Sequence, residues 1–296
     1  MRRLLCCALF FSLSCGAAET GPYQEWLAFQ EEFKVFAAGP TGLYAAQDMQ
    51  EINPGDSVHL PSGSSPGPQP AQALDGLRWV KGTANDALAT VEYKNNQVTL
   101  SGPGIPPSDL LQLKNRQLPL PNGLIVKVSS FHDQTLKVWV YNPQLPAQRK
   151  FQGLAYFPYD PRGEVQAAFH RNEVPAAVNY LDSRGQQGTM YVVGHMDVQI
   201  AGKTHRMKAF SYKKSWDEID TLLVLLRDRT SGKTTYGGGR VVDVAVPKGA
   251  PPKTLTLNLN MAYSFLCAHS NFYNCPLVLT SDVDADLNFG EKYPPL

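Results

Sequence analysis

From Leu77 to the C-terminus, apolar and β-branched residues recur at every second position in short runs, and glycine or proline separates one run from the next. Side chains alternate between the two faces of a strand, so a period of two marks half-buried strands and argues against helix. Strands are expected over Ala89–Leu100, Gly123–Ser130, Leu136–Tyr141, Thr189–Ile200, His205–Phe210, Thr221–Leu226, Arg240–Val246 and Thr254–Asn260. Asn95-Asn96 supplies a hairpin turn inside the first run, and Ala201-Gly202-Lys203 and Ser231-Gly232-Lys233 supply turns later on. Gly102-Pro103-Gly104 and Leu118-Pro119-Leu120-Pro121 read as loops. Many short strands with such turns predict a mainly β fold, an antiparallel β-sandwich or partly open barrel.

One segment departs from this pattern. Between Tyr23 and Ala38 the aromatic residues Trp26, Phe29, Phe33 and Phe36 lie at spacings of three and four, and Gly39-Pro40 follows. This is an N-terminal amphipathic helix whose aromatic stripe packs on the body of the protein. The run from Ser62 to Gln72 is rich in serine, glycine and proline without periodicity and reads as a linker. The organisation expected is a leader over residues 1–18, the helix and linker over 19–72, and a β-rich domain over 73–296.

The leader rests on Arg2 and Arg3, an apolar stretch from Leu4 to Leu13, and the small residues Gly16, Ala17 and Ala18. That order matches an export signal cleaved after Ala17 or Ala18. The expected location is secreted or periplasmic. The alternative is a membrane-anchored lipoprotein, because Ser12-Leu13-Ser14-Cys15 resembles a degenerate lipobox that would place an acyl chain on Cys15. No run in the mature chain reaches the ~20 apolar residues of a membrane helix. With Cys6, Cys7 and Cys15 in the leader, Cys267 and Cys275 remain as an even pair. In an oxidising compartment that pattern reads as a disulfide. A metal site with the intervening His269 lacks an evident fourth ligand.

A net charge of +1 argues against nucleic-acid binding, which needs a surplus of cations to neutralise phosphates. Val193-Gly194-His195-Met196-Asp197-Val198 is similar to a metal-binding segment of zinc peptidases. The second acidic ligand, the paired glutamates and the distant histidine of those enzymes have no counterpart. By alternation His195 and Asp197 share a face opposite Met196, Val198 and Ile200, which reads as the exposed side of a strand, and no metal or other cofactor is assigned. Tyr236-Gly237-Gly238-Gly239-Arg240 lacks the Lys-Ser/Thr of a phosphate loop, and its glycines read as a bulge or close backbone approach.

Several segments together resemble a known family. They are Phe151-Gln152-Gly153-Leu154 with Phe157-Pro158-Tyr159-Asp160-Pro161, Arg227-Asp228-Arg229-Thr230-Ser231-Gly232 with Thr235 to Arg240, Leu257 to Tyr263, Cys275-Pro276-Leu277, and Gly290-Glu291-Lys292. The combination is similar to the DUF1684 family of uncharacterised bacterial proteins, best over residues 151–293. Asn258 stands where the family pattern has aspartate, Ser264-Phe265-Leu266 replaces Asn-Pro-Pro, and Val278-Leu279 replaces a proline-rich run. The expected function is a non-catalytic binding or structural module of the cell envelope, with candidate ligand-binding residues Arg240, Asn258, Asn260, Tyr263, Glu291 and Lys292. An internal ion pair between Arg240 and Glu291 is the architectural reading of the same residues. The alternative from another class is an envelope hydrolase using Glu291 or Asp228 as general base beside Arg240.

Overall fold

The computed structural model describes residues 21–62, 77–130, 134–148, 151, 153–183, 185, 187–276 and 279–293. The leader with Cys15 and all but the first residue of the expected linker lie outside them. The chain is mainly β with one N-terminal helix, as the alternation predicts. It divides into two compact units, one within Val35–Gln152 and the other within Cys6–Lys34 and Gly153–Leu296.

Helix α1 spans Pro22–Ala38. In the first unit it is followed by β1 (Ala46–Ile52), β2 (Ser57–Leu60), β3 (Val80–Lys81), β4 (Ala89–Lys94), β5 (Gln97–Gly102), β6 (Ile105–Asp109), β7 (Gln117–Pro119), β8 (Ile125–Ser130), β9 (Leu136–Tyr141) and a one-turn α2 (Leu145–Gln148). These strands form two antiparallel sheets ordered β1-β9-β8-β7 and β3-β2-β4-β5-β6. A shared core of Val58, Val91, Leu100, Leu124, Val126 and Val138 joins them. Asn95 and Asn96 both take positive φ, 51° and 59°, and pair Lys94 with Gln97, the conformation a two-residue hairpin requires. One expectation fails here. Leu118 and Pro119 belong to β7, an edge strand pairing only with β8, where a proline without N–H costs no ladder bond.

The second unit carries β10 (Glu164–Leu181), β11 (Gln187–Ile200), β12 (Lys203–Ser211), β13 (Thr221–Asp228), β14 (Arg240–Ala245), β15 (Thr254–Asn258), β16 (Tyr263–Ser264) and β17 (Ser281–Val283). They form one curled sheet ordered β15-β10-β11-β12-β13-β14-β16, with β17 added in parallel to β13. The longest strand, β10, went unread in the sequence. Its register shifts between Arg171 and Ala176, and Pro175 sits in that irregularity, so the alternation is broken halfway along. The core gathers Phe169, Met196, Val198, Met207, Leu222, Val224, Val242, Val244 and Leu257. Of the aromatic stripe of α1, Trp26, Phe29 and Phe33 pack within this unit. Phe33 is fully buried, with its ring 5.4 Å from that of Tyr263, and Phe29 lies 6.3 Å from Tyr263 and 6.4 Å from Tyr156.

Candidate functional site

Arg240 opens β14, and its side chain is 1% exposed. Its guanidinium donates to Asp228 Oδ2 at 2.7 Å, to Leu287 O at 3.0 Å and to Phe289 O. The ion pair expected with Glu291 is therefore made with Asp228 instead. Asp228 closes the arrangement by accepting from Thr230 N, Thr230 Oγ1 and Leu287 N. Burial pulls the Arg240 pKa down, and the charge and hydrogen bond of Asp228 oppose that. The glycines before Arg240 are architectural. A Cβ on Gly239, at φ +105°, would stand 2.6 Å from Leu226 O, so only glycine lets the loop approach β13 this closely.

The two asparagines fasten a loop. Asn260 Nδ2 donates to Asp160 O at 2.8 Å while its Oδ1 accepts from Asp160 N at 3.0 Å, copying a strand's pairing with a side-chain amide. Asn258 Oδ1 accepts from Asn260 N and Nδ2, both at 3.1 Å, and orients that amide. This explains why Phe157-Pro158-Tyr159-Asp160-Pro161 and Leu257 to Tyr263 occur together: each supplies half of one joint. Tyr263 donates to Asp243 Oδ1 at 3.1 Å, and burial raises the Asp243 pKa to about 7 against that bond. Lys292 places its ammonium 4.9 Å from the Phe157 ring centroid, and its N–H donates to Ala155 O.

Glu291 is fully buried. Its Oε2 accepts from Ser264 N at 2.8 Å, and its Oε1 lies 3.0 Å from His269 Nε2, an ion-pair approach without hydrogen-bond alignment. Burial, then the Glu291 charge, raises the Tyr156 pKa; Tyr156 pairs with Glu291 across an isolated bridge. Among the described residues Tyr156 Oη, Ser264 Oγ and Arg240 Nε are buried without a hydrogen-bond partner. The Cys267 and Cys275 sulfurs stand at disulfide distance, with Cα atoms 6.1 Å apart. His269 thus faces Glu291 while the two sulfurs face one another.

The six sequence candidates therefore fall into separate joints of one scaffold. A more open arrangement lies elsewhere on the sheet. His195 and Asp197 share the outward face of β11, as alternation predicts, and Met196, Val198 and Ile200 enter the core. His170 of β10 is the direct cross-strand partner of His195, with rings 4.6 Å apart and 14° from parallel. His170 Nε2 lies 3.2 Å from Asp197 Oδ2, and Arg206 grips the same carboxylate through Nε at 2.8 Å and a terminal nitrogen at 3.0 Å. The Arg206 hydrogen bond holds Asp197 below the usual carboxylate range, and partial burial, then Arg206 and His170, hold His195 below the usual imidazole range. A cleft of ≈ 370 Å³ opens beside them, lined among others by Asn172, His195, Arg206, Lys208 and Ser281. Sequence reasoning missed His170 because β10 was not recognised as the neighbour of β11. The signal available was Ala167-Ala168-Phe169-His170, a short alternating run that ends just before the irregularity of β10.

Among known proteins, an uncharacterised protein of Haloarcula marismortui, solved by solution NMR, is 30% identical, with 50% of this chain and 80% of that chain covered at a TM-score of 0.41. No curated protein matches the chain. Residues 149–292 match the profile of DUF1684, a protein of unknown function. They contain the Asp228–Arg240 pair, the Asn260 joint and Glu291, and through them the chain belongs to the DUF1684 family.

Proposed function

We propose that this protein is an exported, non-catalytic module of the cell envelope that binds a ligand on the outer face of β10, β11 and β12. The observation that carries the reading is the condition of the two would-be general bases. The side chains of Asp228 and Glu291 are both 0% exposed, and each is held by internal donors. A general base must reach a proton on the substrate, so a carboxylate sealed inside the scaffold is unsuited to hydrolysis. The cleft beside His195, Arg206 and Lys208 is by contrast open, with a few polar side chains on a mainly apolar lining next to core strands.

Export is supported by the order of charge, apolar run and small residues over 1–18, and by a cysteine pair at bonding distance, which suits an oxidising compartment. No helix among the described residues is long and apolar enough to cross a membrane. The test is intact-mass and native mass spectrometry of the full chain expressed with its own N-terminus. A mature chain starting after Ala17 or Ala18, two daltons lighter than its reduced form and carrying a bound molecule, is the expected result. An acyl mass at Cys15 would replace free secretion with anchoring. An unprocessed, reduced and ligand-free chain would refute the proposal.

A further inference from the structure

The outer face of the β10–β11 hairpin brings together three donors of the kind that bind metals. The Nε2 or Nδ1 atoms of His170 and His195 and a carboxylate oxygen of Asp197 all lie within 4.8 Å of one another. Among the described residues it is the one such group of histidine, cysteine, aspartate and glutamate. A four-coordinate ion with bonds of about 2.0–2.1 Å holds its donors roughly 3.3 Å apart. His170 Nε2 and Asp197 Oδ2, at 3.2 Å, already meet that spacing. The His195 donor lies within 4.8 Å of both, so a modest turn of its half-buried ring completes the set.

The backbone beneath is built for this approach. Gly194 precedes His195 at a register irregularity of β11, and a Cβ there would stand 2.4 Å from His170 O and 2.8 Å from the Phe169 ring. Glycine therefore lets β10 and β11 close up where the two imidazoles meet. Arg206 holds both oxygens of the carboxylate, including the Oδ2 that faces His170, and so fixes its orientation as outer-shell partners of metal ligands do. The adjoining cleft leaves further coordination positions open to small molecules.

We propose that His170, His195 and Asp197 bind a single late first-row divalent ion of the Zn²⁺ or Cu²⁺ type. Two imidazoles and one carboxylate favour such borderline ions over Mg²⁺ or Ca²⁺, which take all-oxygen shells. The ion gives the cleft a ligand class, so this inference rests on the binding reading above. The sheet supplies the three ligands, and Arg206 orients one of them.

The test uses the tag-free mature protein, titrated calorimetrically with Zn²⁺ and, separately, loaded with Cu²⁺ for electron paramagnetic resonance. One ion per chain and two-nitrogen coupling in the Cu²⁺ spectrum are expected. His170→Ala and His195→Ala should each weaken binding by at least about tenfold and leave one-nitrogen coupling, and His59→Ala should change neither. Asp197→Asn should weaken binding by a similar factor; an unchanged affinity would assign Asp197 to Arg206 alone and overturn the ligand set. Zn²⁺ affinity unchanged in His170→Ala would likewise overturn it. An organic molecule retained in native mass spectra of a protein that fails to bind either ion would sink the metal and keep the cleft. Circular dichroism of each variant checks that the fold is intact.

Discussion

Replacing Arg240 by methionine removes the cation from a pair in which both side chains are sealed from water. Asp228 would keep its bonds from Thr230 and Leu287 but lose its counter-charge, and the carbonyls of Leu287 and Phe289 would lose their donor. Breaking a buried pair from one side costs about 3–5 kcal/mol, because the remaining charge stays buried and uncompensated. Asp228→Asn should cost a similar amount by stranding Arg240. The double variant removes both charges at once, so its loss should also be about 3–5 kcal/mol, well short of the sum of the singles. That leaves a coupling of roughly 3–5 kcal/mol. Urea unfolding followed by circular dichroism gives the three stabilities, and hydrogen exchange of β13 and β14 peptides places the loss in the second unit. Single losses below about 1 kcal/mol, or losses that simply add, would refute the claim that this pair anchors the scaffold.

Two further outcomes follow from the same region. Cys267 and Cys275 enclose a short loop with sequence separation 8, so reduction, or a Cys267→Ala, Cys275→Ala double variant, should lower stability by about 2.5 kcal/mol on the chain-entropy relation; equal melting in the presence and absence of reductant would show that the pair does not stabilise the fold. Asp243 has its pKa raised from 3.8 to about 7 by burial, so its contribution to stability is complete below pH ~4 and is lost as pH rises through 7. The loss is at most about 4 kcal/mol, reduced by solvent screening because the residue is partly exposed. Asp243→Asn should flatten the melting temperature between pH 5 and 8, and parallel curves for the two proteins would contradict this.

How far the site was legible depended on the range of each interaction. Asn258 and Asn260 stood out as polar residues at the end of a core strand, but their partner Asp160 lies a hundred positions away, so their role as a joint was invisible. Arg240 was recognised as important, yet its partner was assigned wrongly. Asp228 and Glu291 are both acidic and both distant in sequence, and only the pairing of β13 with β14 decides between them. His170 was missed outright for the same reason.

The sequence by itself determined the local chemistry: strand alternation, the Asn95-Asn96 turn, the aromatic face of α1 and the outward face shared by His195 and Asp197. Those are set by backbone sterics and by side-chain periodicity, which act over a few residues. Tertiary structure alone decided which strands became neighbours. That choice buried Asp228 and Glu291, joined Asn260 to Asp160, and set His170 against His195. Strand order depends on the packing of whole faces over long separations, and no local pattern encodes it.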